Sequence, residues 1–208
     1  MSSEYWNEIY SAKDIKYALY DGWLNRYQSI WKEAINIIDL GCGCGVDTIY
    51  LNKQNITTIA CDFSKTALGM VISALLQAHT MCFDMTEGLP FRDDFSDLVI
   101  ADLSLHYFTK DKTMFILDEI KRILKGRGHL LCRVNSVKEF EQNENLLDNT
   151  EIERHLYENK GHIKRFFDSF DIDEYFNDWD IEYLDEVETT KYGHIKYAWE
   201  ICVRKRDI

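Results

Sequence analysis

Proline is nearly missing, with one in 208 residues, and there are only ten glycines. This excludes collagen-like and proline-rich linker proteins. No apolar run approaches the roughly 18–20 residues that a bilayer-crossing helix needs. The opening Met1-Ser2-Ser3-Glu4-Tyr5-Trp6 lacks the basic and then apolar order of a secretory signal. No CxxC pair occurs among the six cysteines, Cys42, Cys44, Cys61, Cys82, Cys132 and Cys202. Most of them sit in apolar stretches and read as reduced, small core residues, so the expected compartment is the cytoplasm. Cys42 and Cys44 stand two apart with no second pair nearby, a poor tetrahedral set, and no metal is expected. Fixed-period repeats and low-complexity tracts are absent too.

Net positive charge is also lacking. The formal charge is −12, and all of it lies in one segment. Lys138 to Glu188 holds 17 acidic and 5 basic residues, and the rest of the chain carries 19 of each. Such a surplus repels phosphate backbones and anionic lipid, so neither nucleic acid nor membrane is an expected partner. A cleft beside this segment would favour cationic or neutral molecules, weakly because of screening. What the chain does have is core material. It is 46% hydrophobic and 13% aromatic, which excludes intrinsic disorder and suits a single α/β domain.

Apolar runs at Ile35–Leu40, Ile56–Cys61, His79–Phe83, Leu98–Ala101 and His129–Val134 read as five strands. Between them, Ser64 caps a helix over Thr66–Leu76. Asp111–Leu124 reads as an amphipathic helix with Phe115, Ile116, Ile120 and Ile123 on one face, stopped by Gly126-Arg127-Gly128. Alternation of this kind predicts a doubly wound, mostly parallel sheet. Asn135–Thr150 reads as a loop or lid and Glu151–Asn159 as helical. Trp179–Leu184 and Ile195–Val203 are alternating strands too close in sequence to pair other than antiparallel. The single domain therefore divides into a helical lid over 1–34, a core over 35–134, and a lid segment with terminal strands over 135–208.

The sharpest signal is Asp39-Leu40-Gly41-Cys42-Gly43-Cys44-Gly45 at the end of the first strand. In an open parallel sheet such a turn lies beside the topological switch point, where ligands bind. A dinucleotide turn has spacing GxGxxG, but here the third glycine comes one residue early and Val46 fills the expected place. Asp39 suits an ammonium group better than a pyrophosphate. Asp62 closes the second strand, where an acid accepts hydrogen bonds from both ribose hydroxyls. Asp84 closes the third, placed to accept from an adenine amine between Phe63 and Met85. An amine, a ribose and an adenine are provided for, and no phosphate is required.

With these residues in place, the chain resembles the class I S-adenosylmethionine-dependent methyltransferases over roughly Ile35–Val134. The acid and GxGxG turn match the family's first motif, and Asp62 and Asp84 match its ribose and adenine acids. Leu89-Pro90-Phe91, Asp94–Asp102 and Leu105-His106-Tyr107-Phe108 resemble the stretches around the family's fourth strand. The resemblance implies a seven-stranded sheet of order 3-2-1-4-5-7-6 with strand 7 antiparallel. It further implies S-adenosylmethionine as cofactor, with S-adenosylhomocysteine as product, held by Asp39, Gly41, Cys42, Gly43, Gly45, Asp62, Phe63, Asp84 and Met85. Ala101 and Asp102 would lie near the methyl group, and Trp6 would cover the cofactor with Tyr5 and Tyr10.

For the acceptor, the resemblance points to Tyr10, Tyr107 and Asn135, with His106 as a general base and Asp102 beside the reacting atoms. No Asn-Pro-Pro-Tyr follows the fourth strand, which disfavours methylation of adenine or glutamine amino groups. Arg133-Val134-Asn135-Ser136 and Lys164-Arg165-Phe166-Phe167 resemble the tellurite-resistance branch of the family. The expected activity is in-line methyl transfer to a small molecule by a monomer or homodimer. A nicotinamide-dependent oxidoreductase is the alternative, opposed by Val46. A catalytically silent cofactor-binding module is a third reading, since the family has no universal catalytic residue.

Overall fold

A computed structural model of the chain describes residues 2–12, 19–143, 149–191 and 193–207. Five parallel strands carry the site: β1 (Ile37–Leu40), β2 (Thr58–Asp62), β3 (His79–Cys82), β4 (Ser96–Asp102) and β5 (Leu124–Asn135). Two further strands, β9 (Asp180–Thr189) and β10 (Lys196–Arg204), complete the sheet. Its order is β3-β2-β1-β4-β5-β10-β9, and β10 runs antiparallel to both neighbours. This is the expected 3-2-1-4-5-7-6 arrangement with its reversed last strand. Because β10 is reversed, its first residue, Lys196, comes to the same edge as the carboxyl ends of β1 to β5.

Alternate residues of the strands face opposite layers. Ile38, Leu40, Val99, Ala101, Leu130 and Cys132 face one core, and Ile37, Leu98, Ile100, Leu131 and Cys202 face the other. The first core is covered by α5 (Lys110–Ile123) and α7 (Ser169–Phe176), with Phe167 and Trp179 between them. The second is covered by Trp23, Leu24, Tyr27 and Trp31, from a short 3-10 turn and α2 (Gln28–Trp31), and by Leu51 of α3 (Val46–Lys53). A sheet apolar on both faces needs this double cover.

The N-terminal 34 residues therefore do two jobs. Among the described residues of this stretch, α1 (Ser3–Ala12) lies above the strand ends, and it buries no residue. The Trp23–Trp31 stretch is core.

Several expectations are corrected. The buried stripe of α5 is Ile116, Leu117, Ile120 and Ile123, while Phe115 is 41% exposed. Phe115 sits about 100° round the helix from Ile116, off the sheet-facing side. Gly126-Arg127-Gly128 does not precede the fifth strand but lies within it. Glu151–Asn159 is not helical. It belongs to β6 (Thr150–Glu153) and β7 (Leu156–Asn159), which with β8 (His162–Arg165) form a small antiparallel sheet. Lys160 (φ 51) and Gly161 (φ 83) make the tight turn between β7 and β8, the two positive φ angles that a type I′ hairpin demands. In the expected loop, α6 (Val137–Glu141) forms under the Ser136 cap. Positions 144–148 of that loop, and 13–18 of the N-terminal lid, lie outside the described residues. α4 (Lys65–Ala74) starts as expected, with Ser64 Oγ accepting from Ala67 N–H.

Candidate functional site

The glycine turn is fastened to the end of β2. Gly41 and Cys42 N–H both donate to the Cys61 carbonyl, at 2.8 and 2.9 Å. Gly43 N–H donates to Asp62 Oδ2 at 2.9 Å, and Ser64 N–H to Asp62 Oδ1 at 2.8 Å. Each oxygen of Asp62 thus spends one lone pair on the backbone and keeps another. Burial raises the Asp62 carboxyl above its ordinary value, opposed by these backbone bonds. Gly45 has φ +77, and a Cβ there would meet Val71 Cγ2 at 2.7 Å. Gly43 has φ +54, and its Cβ would strike the Tyr10 hydroxyl at 2.5 Å, so α1 reaches directly over the turn. Glycine is the residue both positions require.

These groups open on a cavity of about 990 Å³ at the carboxyl edge of the sheet. Gly41, Cys42, Gly43, Asp62, Phe63 and Met85 line one half, with Asp84 at its rim. Asp84 Oδ1 accepts from Thr86 N–H at 2.9 Å. Trp6 and Tyr10 roof this half, and Tyr107, Asp102 and Asn135 line the passage to the other. Trp6 packs edge-on to Tyr107 at 5.2 Å, and Tyr5 stacks on His162 of β8 at 3.7 Å, joining α1 to the small sheet above the cavity. Asn7 Oδ1 accepts from Ser64 Oγ at 2.8 Å, joining α1 to the start of α4.

At the floor, which Asp102 and Lys191 line, lies a network of buried charge. Arg133 bridges Asp102 (Nε–Oδ1 2.6 Å, Nη2–Oδ2 3.0 Å) and Asp21 (2.6 Å), with Trp23 against its guanidinium at 4.8 Å. Lys191 binds Asp102 and lies 3.6 Å from Asp47, which also accepts from Trp23 Nε1 at 3.0 Å. Burial alone would raise the Asp102 carboxyl, but Arg133 and Lys191 outweigh it and hold the group well below the carboxylate range. Burial and the nearby Asp47 push Asp39 up to about 7, and burial pushes Asp47 up to about 6. Asp39 faces this network rather than the cavity, taking a 2.6 Å hydrogen bond from Thr48 Oγ1.

The far half of the cavity is basic. Lys164 of β8 and Lys196 of β10 line it with Asn135 and Glu139. Burial, then repulsion from Lys164, pulls the Lys196 amine down to about 7, and burial lowers Lys164 as well. Glu139 is the carboxylate that faces both, and its Oε2 accepts from Tyr197 N–H at 3.0 Å. The acidic segment 138–188 therefore turns Lys160, His162 and Lys164 toward the cavity, with Glu139 as its acid there. The expectation of a cleft suited to cations is reversed at this wall.

Of the residues singled out in the sequence, Asp39, Gly45, Ala101 and His106 do not line the cavity. Ala101 is core on β4. His106 is fully buried, and neither ring nitrogen has a hydrogen-bond partner. Burial drives its pKa well below the ordinary value, so it is neutral. Burial likewise raises the Cys42 and Cys44 thiols. As cavity or ion-pair residues Arg133, Lys164, Lys191 and Lys196 went unrecognised, although Arg133 and Lys164 stand in the motifs quoted above. A charge within an apolar strand was the signal for Arg133 and Lys196, and Lys191 lies outside any strand. His155, Asp168 and Asp171 went unrecognised too; their ligand atoms lie within 4.8 Å of one another. Asp168 and Asp171 form the capping box of α7, and His155 Nδ1 lies 2.7 Å from Asp171.

A doubly wound sheet with a glycine turn and strand-end carboxylates at its switch point defines a nucleoside-cofactor fold. Residues 38–132 match the family model of a methyltransferase domain. An uncharacterized methyltransferase of Synechocystis is 35% identical over 92 residues, covering 44% of this chain and 43% of that protein. A tRNA N(3)-cytidine methyltransferase of Gallus gallus is 28% identical over 109 residues, covering 47% of this chain and 29% of its own. The chain thus spans less than half the length of these two relatives. The structure of Burkholderia thailandensis 1,6-didemethyltoxoflavin-N1-methyltransferase, with bound 1,6-didemethyltoxoflavin and S-adenosylhomocysteine, superposes with TM-score 0.72 at 16% identity, covering 99% of this chain and 87% of that one. Over residues 38–132 the chain is similar to methyltransferase domains, and its fold is that of solved S-adenosylmethionine-dependent methyltransferases.

Proposed function

We propose that the protein transfers a methyl group from S-adenosylmethionine to a small-molecule acceptor. The observation that carries this is Asp62, oriented by two backbone N–H groups and left with one accepting site on each oxygen for a ribose diol. Phe63 and Met85 supply apolar walls for an adenine, and Asp84 an acceptor for its amine. Ligand pockets run to roughly 300–1,000 Å³, so a cavity of about 990 Å³ has room for a cofactor and a second molecule. The roof of α1 and the small sheet over it favours a small acceptor over a folded nucleic acid.

When bound, the cofactor supplies an electrophilic methyl carbon. The chain's own part is to hold the acceptor in line, under a roof that limits water. Such positioning lowers a barrier by roughly 7–11 kcal/mol. Asp102 is neutralised by two cations and is a weak base, so its role is to fix Arg133 and Lys191 at the cavity floor. Titration calorimetry tests the reading: S-adenosylhomocysteine binds and NAD⁺ does not. Heat with NAD⁺ and none with S-adenosylhomocysteine overturns it. Methyl incorporation into a small-molecule extract, and none into total tRNA, supports the acceptor class; the reverse overturns that part alone.

A further inference from the structure

We infer that the acceptor is a planar aromatic molecule whose ring seats against Tyr157 and Phe166, with an N–H or O–H of that ring donated to Asn135. This deepens the methyltransferase reading and rests on it in taking the occupant to be the acceptor. Three observations meet at this wall. The first is a braced aromatic face. Tyr157 and Phe166 both line the cavity and meet edge-on, with ring centroids 5.9 Å apart. Phe140 does not line it, but stacks on Tyr157 at 4.0 Å and meets Phe166 edge-on at 5.3 Å. The pair is thus held from behind, and rings already held lose little freedom when another ring packs on them.

The second is register. Tyr157 of β7 stands opposite Lys164 of β8, and the side chains of such a pair share one face of the sheet. Lys164 lines the cavity as well, in the half left over once a nucleoside fills the side of the glycine turn. An ammonium is drawn to the face of an aromatic ring and not to a saturated one, so this neighbour favours aromatic occupants over aliphatic ones.

The third is an acceptor without a donor. Asn135, the last residue of β5, lines the cavity, and its buried Oδ1 has no partner among the described residues. Its Nδ2 is turned to the Arg165 carbonyl at 3.4 Å, and a carbonyl can only accept, so reversing the amide would set two oxygens against each other. The Asn135 carbonyl in turn accepts from Phe167 N–H at 2.8 Å. Phe166 lies between these two partners in the chain, which fixes its ring beside the amide. A buried carbonyl oxygen held in this way calls for a donor, and an occupant without one leaves it unpaired.

The test uses the full chain with S-adenosylhomocysteine present, whose own binding is measured first. Two pairs of uncharged probes are then titrated at neutral pH. Indole and benzofuran share a shape and differ in the ring N–H; 2-naphthol and decahydro-2-naphthol share a hydroxyl and differ in aromaticity. Indole is expected to bind about tenfold tighter than benzofuran, the step for a buried acceptor otherwise left unpaired. Naphthol is expected to bind about threefold to tenfold tighter than its saturated analogue. Asn135→Leu removes the first preference and leaves the second. Tyr157→Leu removes the second and leaves the first, while Tyr157→Phe keeps both. Equal binding within either pair by the unaltered chain overturns the inference, a result that depends on no variant folding. So does a preference that outlasts its own substitution. A chain that binds S-adenosylhomocysteine without discriminating the probes leaves the methyltransferase reading intact. One that discriminates them without binding S-adenosylhomocysteine sinks that reading and keeps the aromatic seat.

Discussion

Asp62 serves the scaffold and the ligand with the same two oxygens. Its Gly43 bond shapes the turn, and its side chain lines the cavity. Asp62→Ala is expected to weaken S-adenosylhomocysteine by about 1–3 kcal/mol, the cost of unmade buried hydrogen bonds, read by calorimetry. Asp102 is a different case, because its removal strands Arg133 and Lys191. Asp102→Ala should cost about 3–5 kcal/mol of stability, as for one lost partner of a buried ion pair, seen as a lower urea midpoint.

Asp39 gives a pH signature. Its carboxyl titrates near 7 in the fold, above the unfolded value of about 3.9. Its protonated form is favoured by folding, so that contribution is full below about pH 4 and lost as pH rises through 7. Asp39→Asn is expected to remove this slope; an unaltered pH profile of the urea midpoint refutes it. Asp62 and Asp84, the carboxylates that line the cavity beside the glycine turn, could be picked out in the sequence because each stands at or just past the end of a strand. The charge network was not legible: Arg133 meets Asp21 across 112 residues of chain, a distance no local pattern encodes. Lys196 was hidden for the same reason, since only the reversal of β10 brings it to the site.

Among elements, β1, β2 and β4 were readable because both their faces are largely buried and their residues are mostly apolar or β-branched, while the edge strand β3 is only half covered. The small sheet was not readable. Glu151–Asn159 is mostly polar, and strands that only roof a cavity need no apolar run. The turn that defines it depends on Lys160 adopting a positive φ, which Gly161 alone does not announce. The glycine turn makes a firmer element-scale forecast. Gly45→Ala combines a left-handed φ with a Cβ pressed on Val71, and strain of about 1–3 kcal/mol is expected, measured as a fall in unfolding free energy. α1 lies at the opposite extreme. Deleting residues 1–12 should leave the circular dichroism of the sheet intact and weaken S-adenosylhomocysteine by about tenfold, or roughly 1.4 kcal/mol. Loss of the fold on that deletion would show α1 to be structural.

For the whole molecule, the sheet divides the labour. Its two apolar faces hold the fold together, and its carboxyl edge is left for chemistry. The surplus negative charge sits in the same segment that turns its lysines inward, so net charge and local potential have opposite signs where an acceptor would lie. The −12 balance is thus a statement about solvation of the outer surface, while the cavity wall must be read residue by residue. No helix among the described residues is long and apolar enough to cross a membrane. At this scale S-adenosylhomocysteine at a hundred times its Kd should add about 2.7 kcal/mol to unfolding free energy, and an unmoved thermal midpoint would contradict ligand binding by the native state.

α1 buries no side chain of its own, and it meets the body through half-buried rings and the Asn7 amide. Parting those is cheap beside breaking the sheet. The molecule is therefore a stiff shelf with an inexpensive door, and traffic through the doorway can set the pace of turnover without the shelf ever yielding.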